Sequence, residues 1–284
     1  MPPDPRLNAW RTDLADVRLR GIVAAPRYAA GRPARITAGL APVRRAPDRQ
    51  AETVTFYHYG EAVLVFDEAA DFAWCQSLVD SYVGYVEADR ITAGAPPAPT
   101  HFVATLGAYA YEVPDLRAPV RDFLPRHSAV MLVERRVTRG TAYGRLDSGV
   151  YLPLLCLSRE PPRSPDLAAA ASLYLGCPYL WGGRSFLGLD CSGLVQSAFR
   201  DLGISVPRDT DLQRDAIGEA VAIGDLGPLR RGDLLYMPGH VLICAGDGAV
   251  IHADGASMCV RRDDLAALMR ARGWRPETIA VRRP

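Results

Sequence analysis

The sequence contains no lysine: all 33 basic residues are arginine, set against 32 acidic ones. The resulting formal net charge of +1 leaves no electrostatic footprint for nucleic acid or anionic lipid. The missing lysine and the abundant alanine read as codon bias of a GC-rich genome. No apolar run approaches the length of a membrane span. The start, Met1-Pro-Pro-Asp-Pro-Arg-Leu-Asn-Ala-Trp-Arg11, lacks the apolar stretch of a secretory leader, so a cytoplasmic location is expected. There is no CxxC pair and no HExxH, and nothing supports a structural zinc or a metallopeptidase. No cofactor and no metal are expected. The six cysteines are expected as free thiols, mostly small buried hydrophobes.

What is present divides the chain by composition. Residues 1–40 form a Pro-, Arg- and Ala-rich arm with one expected short helix over Leu7–Leu19; its few apolar residues predict wrapping over other domains. Residues 41–95 alternate apolar and β-branched positions, as in Glu52–Tyr57, Ala62–Phe66, Phe72–Ser77 and Tyr82–Val86, which predicts a small antiparallel barrel. After the linker Ala93-Gly-Ala-Pro-Pro-Ala-Pro-Thr100, residues 100–160 repeat that character as a second barrel. Glu160-Pro-Pro-Arg-Ser-Pro165 is the next linker. Residues 165–284 then form a domain of helices first and antiparallel strands second. A helix over Leu167–Leu175 is expected to be capped by Ser164, and a second one over Cys191–Leu202 to end at Gly203.

Chemistry concentrates in Tyr179-Leu-Trp-Gly-Gly-Arg-Ser-Phe-Leu-Gly-Leu-Asp-Cys191-Ser-Gly-Leu-Val-Gln196. Cys191 ends a Gly-rich loop and opens an amphipathic helix, where the helix dipole favours thiolate. Its own N–H is among the unpaired donors of that helix start and can serve an oxyanion. A nucleophilic thiol needs a base, and only His240 and His252 lie downstream. A hairpin through Gly246-Asp-Gly248 would set their strands side by side, one histidine facing the thiol and the other orienting it. Cys156, Cys177, Cys244 and Cys259 read as structural, and His58, His101 and His127 as packing or surface residues.

Together these stretches resemble the NlpC/P60 cell-wall peptidases. The resemblance rests on Tyr179–Gly183, Leu189–Gln196, Val206-Pro-Arg-Asp-Thr210, Arg231–Tyr236, Gly239-His240-Val and Val250-Ile-His252-Ala, in the family's order from Leu167 onward. It implies a papain-like α+β fold and cleavage of γ-D-glutamyl bonds to diamino acids in murein peptides. Cys191 would be the nucleophile, His240 the base, His252 the orienting residue, and Tyr179 the tyrosine beside the oxyanion site. The small barrels resemble bacterial SH3 modules. The fold class expected is thus multidomain, two SH3-like β-barrels followed by an NlpC/P60 domain.

The whole layout resembles the cytoplasmic γ-D-glutamyl-L-diamino-acid endopeptidases of murein recycling. That subgroup takes short peptides with a free N-terminal L-alanine, and an ammonium in a closed pocket needs carboxylates. Asp190 and, by similarity, Glu61 are the candidates, with Tyr82, Ser192 and Thr210, the last standing where the family has serine. A solvated turn for Glu61 and a core aromatic for Tyr82 stand beside those roles. The partner expected is a murein-derived peptide, with no nucleic acid and no membrane. Competing readings are a degenerate, SH3-type peptidoglycan-binding protein and a papain-like acyl or amide transferase.

Overall fold

The computed structural model describes residues 2–222 and 229–284, and the chain divides into two compact units, up to Pro162 and from Arg163.

The N-terminal unit is built of sheets. The helix expected over Leu7–Leu19 is absent. In its place a short strand, Leu14–Asp16, pairs in parallel with Arg27–Ala29, and a 3-10 turn covers Val17–Leu19. Leu14, Ala15 and Asp16 are all buried, and three consecutive buried residues suit no amphipathic helix. The segment is pinned where it lies. Ala9 and Leu14 pack with Phe66 and Trp74, and Arg11 pairs with Asp13 and Asp67.

A seven-stranded sheet runs from Arg32 to Ala93 in the order 53–58, 40–44, 83–87, 72–77, 62–69, 32–36, 91–93. It therefore begins nine residues before the boundary expected at 41. Arg32-Pro-Ala-Arg-Ile36 looks like arm by composition, but Ala34 and Ile36 alternate inward to a core with Val43, Tyr57, Val63, Val65 and Val86. A second sheet system follows. Five strands take the order 120–125, 107–111, 151–153, 141–146, 132–138, and three short ones (129–130, 101–103, 157–158) close beside them. Its core of Val103, Ala110, Leu124, Leu146 and Leu152 also receives Tyr59. The two sheet systems are tied by Tyr59 Oη to Ser148 at 3.0 Å, the Arg35–Asp147 pair at 2.6 Å and the Gly39 N–H to Asp122 at 2.6 Å.

The C-terminal unit carries helices α1 (Leu167–Ser172), α2 (Cys191–Asp201), α3 (Thr210–Ala216) and α4 (Leu265–Arg272). Its six-stranded antiparallel sheet has the order 219–221, 280–283, 234–237, 240–246, 249–254, 259–264. Helix α1 is shorter than expected and its cap is Asp166, which accepts from the Ala169 N–H at 2.8 Å. Ser164 instead donates to Asp201 at 2.5 Å. Helix α2 ends at Gly203 as expected, with a φ of 79°. The hairpin between residues 246 and 249 has three successive left-handed residues, Gly246, Asp247 and Gly248, a turn only Gly and Asp/Asn make cheaply. Helix α4 interrupts the expected helices-then-strands order. No helix of the described residues is long and apolar enough to cross a membrane.

Candidate active site

The nucleophile's setting is made by α2. Asp190 caps this helix, its Oδ1 accepting from the Gly193 N–H at 2.7 Å. Cys191 follows at the first helical position, 7% exposed. The first turn lies against the Gly-rich loop: a Cβ on Gly193 would stand 2.0 Å from the Gly183 carbonyl oxygen. Any larger residue there would push the nucleophile's turn off its loop.

The surroundings of the thiol oppose its ionisation. Burial, then the neighbouring Asp190 charge, pushes Cys191 up to about 12, against the opposing pull of the Val241 N–H, Arg208 and the Ser192 N–H. These influences work against the thiolate that the helix start favours. Withdrawal from water and an adjacent carboxylate outweigh one helix end. A thiol whose ionisation is opposed in this way needs a base to act as a nucleophile.

That base is at hand. His240 opens the strand 240–246, next to the Val241 whose N–H reaches the Cys191 sulfur. Its Nε2 lies 2.9 Å from Nδ1 of His252, and Nε2 of His252 lies 2.9 Å from Oδ2 of Asp263. A carboxylate only accepts, so His252 Nε2 carries a hydrogen and donates it to Asp263. His252 Nδ1 is then an acceptor, and His240 Nε2 donates to it. The lone pair of His240 is left on Nδ1, the nitrogen able to take up a proton. Burial, followed by the adjacent His252, lowers His240 to about 4. Burial also lowers His252, although Asp263 and Asp254 act the other way. Asp263 resists its own burial because Arg261, at 2.5 Å, and His252 hold its carboxyl below the usual range.

Sequence reasoning missed Asp263. It sits in the charged run Arg261-Arg-Asp-Asp264, which looks like a solvated face. Strand register supplies the missing link. Val250 pairs with Asp263 and His252 with Arg261, and period-two alternation then puts Asp263 and His252 on one face.

Arg208 was also missed as a functional residue, although it stands inside the quoted Val206–Thr210 stretch. It is 1% exposed. Its Nη2 donates to Asp190 Oδ2 at 2.5 Å, and its Nη1 to Ser192 Oγ at 2.6 Å. Asp190 also accepts from the Gly182 N–H at 2.8 Å and from Ser192 Oγ at 3.3 Å. Its two oxygens thus hold four donors. Asp190, expected as an anchor for a substrate ammonium, is committed here to the helix cap and to the buried pair, because leaving either charge unpaired in this interior would be costly.

The remaining expected residues fall into two groups. Tyr179 is half-buried, its ring over Gly255. Burial, then Cys191 and Asp190, pushes its hydroxyl up to about 12, so it is a neutral donor near the sulfur. Thr210 opens α3 behind its cap Asp209. Glu61 and Tyr82 belong to the N-terminal unit. Glu61, 4% exposed, is a buried carboxylate and not a solvated turn. Tyr82 is equally buried, and its carbonyl accepts from Tyr57 Oη at 2.6 Å. All six cysteines are free.

Residues 176–283 match the NlpC/P60 family, and residues 43–91 match the bacterial dipeptidyl-peptidase Sh3 domain. The chain is 35% identical over 135 residues to a gamma-D-glutamyl-L-lysine dipeptidyl-peptidase of Bacillus subtilis (strain 168), which covers 45% of this chain and 43% of that protein. It is 26% identical over 236 residues to dipeptidyl-peptidase 6 of Lysinibacillus sphaericus, covering 77% and 86%. The chain thus spans less than half the length of the Bacillus subtilis relative it matches. A crystal structure of an NlpC/P60 family protein from Bacillus cereus ATCC 10987 shares the fold, with a TM-score of 0.71 at 22% identity over 88% of this chain and 99% of that one.

Proposed function

We propose that this chain, which carries an NlpC/P60 domain behind a bacterial dipeptidyl-peptidase Sh3 domain, is a cysteine peptidase of short murein peptides. Its substrate would be L-Ala-γ-D-Glu joined to diaminopimelate or lysine, with the N-terminal amine free, as in recycling of wall peptides. The observation that carries the chemistry is the hydrogen-bonded line His240–His252–Asp263 ending beside Cys191.

Each step follows from the tautomers. His240 Nδ1 takes the thiol proton as sulfur attacks the γ-carbonyl carbon, so charge separates only once substrate is bound. The oxyanion is met by the first-turn N–H of Cys191 and by the neutral Tyr179 hydroxyl. His240, now imidazolium and steadied by His252 and Asp263, gives its proton to the departing amine. The C–N bond breaks and a thioester remains on Cys191. Water, deprotonated by His240, cleaves the thioester, releases L-Ala-D-Glu and restores the thiol.

The test is product analysis on L-Ala-γ-D-Glu-diaminopimelate and its lysine counterpart, free and N-acetylated. Release of L-Ala-D-Glu from the free peptides by the wild type, and none by Cys191→Ala, is expected. Equal turnover of the acetylated peptide would remove the requirement for a free amine. Transfer to an added amine in place of hydrolysis would change the reaction class.

A further inference from the structure

We propose that Arg272 and Trp274 form the leaving-side subsite of this active site, and that it takes the free α-carboxylate of the diamino acid. The inference rests on the peptidase reading above and adds to it the chemical feature that the departing residue must carry.

The leaving nitrogen receives its proton from His240, so the leaving residue must lie against that ring. Trp274 stands there, its ring centroid 5.8 Å from that of His240 and inclined by 38°. The Arg272 guanidinium carbon is in turn 6.0 Å from the Trp274 ring centroid. Both side chains leave the end of α4, where the chain turns through Gly273 at a φ of 65°. The Gly273 N–H bonds back to the Arg270 carbonyl and the Trp274 N–H to the Met269 carbonyl, at 3.4 and 3.0 Å. This paired closure is a rigid helix ending, so the two residues are set by backbone and not by chance of rotamer.

The guanidinium is fixed and only half used. Its Nη2 donates to both oxygens of Asp254, at 2.8 and 2.9 Å. Asp254 is itself held by the Ser257 hydroxyl at 2.7 Å and by the N–H groups of Ser257 and Ala256. Among the described residues, Arg272 Nε and Nη1 make no hydrogen bond, and the side chain is 34% exposed. An ordered planar fork with unused N–H groups on a partly exposed side chain is suited to a carboxylate, and because it is already ordered the entropy lost on binding is small. An ammonium would be repelled. The subsite therefore reads the acid end of the diamino acid and not its side-chain amine.

The test compares L-Ala-γ-D-Glu-L-Lys having a free α-carboxylate with the same peptide as α-carboxamide. Binding to the Cys191→Ala protein is measured by titration calorimetry, and cleavage is followed with the wild type. The acid should bind about tenfold or more tighter than the amide, the scale of a charge-assisted hydrogen bond. In Cys191→Ala carrying Arg272→Gln the ratio should fall to near one, and Arg272→Lys should restore part of it. Thermal melts identify any variant that fails to fold, and the acid-to-amide ratio with Arg272 intact needs no such variant. Equal binding of the two peptides, binding of neither, or an unchanged ratio in Arg272→Gln overturns the subsite. If the wild type cleaves neither peptide while the Cys191→Ala protein still prefers the acid, the peptidase reading fails and the subsite stands.

Discussion

The two ends of the site spend their carboxylates differently. At the nucleophile end, Asp190 is saturated by Arg208, two backbone N–H groups and Ser192. Its work is to hold α2 on its loop, and its charge raises the thiol's pKa. At the base end, Asp263 accepts from one histidine and is steadied by Arg261. Its work is to decide which nitrogen of the next histidine holds the proton. One carboxylate holds a helix on its loop and the other fixes a histidine's tautomer, although both are charged groups beside a candidate catalytic side chain. Proximity to a nucleophile is therefore a poor guide to role, and the count of donors already on an oxygen is a better one.

The sharpest break of this contrast is chemical. Cys191→Ala should lower turnover by about 10⁴-fold or more with little change in melting temperature, measured on the free tripeptide. Next in size, Arg208→Ala should destabilise the fold by about 3–5 kcal/mol, since it leaves Asp190 buried and unpaired. Chemical denaturation would read this, and a loss below about 1 kcal/mol would mean the pair behaves as if exposed. Asp263→Ala should do the reverse, costing about 10²-fold in kcat through the lost tautomer with a small stability change. Equal effects of the two substitutions on stability would erase the contrast.

The smallest effect expected is on pH dependence. His240 must be neutral to act as base, so kcat/KM should hold from neutral pH down to an acid limb near pH 4, following its lowered value. A limb between pH 6 and 7 would show an ordinary histidine. The same burial is linked to stability. The unfolded histidine takes its proton near 6.5 and the folded one near 4. Stability is therefore complete above pH 6.5 and is lost as pH falls toward 4, by about 3 kcal/mol from His240 alone. His252, also lowered, acts in the same direction. Urea melts at pH 7 and pH 4.5 would measure the difference.

Much of the C-terminal unit was legible because its signals are local. Gly203 ends α2, Gly246-Asp-Gly248 makes the hairpin, and the apolar strands 234–237, 240–246 and 249–254 read directly as sheet. Helix α4 carried a signal that went unread: Asp264 caps it by accepting from Ala267 at 2.7 Å, and Gly273 closes it. In the N-terminal unit, Arg32–Ile36 was hidden because Pro33 and two arginines mask the alternation of Ala34 and Ile36. Leu7–Leu19 misled because its spacing permits a helix while its burial comes from packing on Phe66 and Trp74.

The sequence by itself singled out Cys191 as the candidate nucleophile and His240 and His252 as its candidate partners. A glycine loop, a helix start and a hairpin are all short-range patterns. Tertiary structure alone decided the protonation states and the roles of the carboxylates. Those depend on how much water burial removes and on which arginine arrives from a distant segment. Arg208 meets Asp190 across 18 residues, and Asp263 meets His252 only through the register of a neighbouring strand. Cys191 was thus visible from the start, and the surroundings that oppose its ionisation were not.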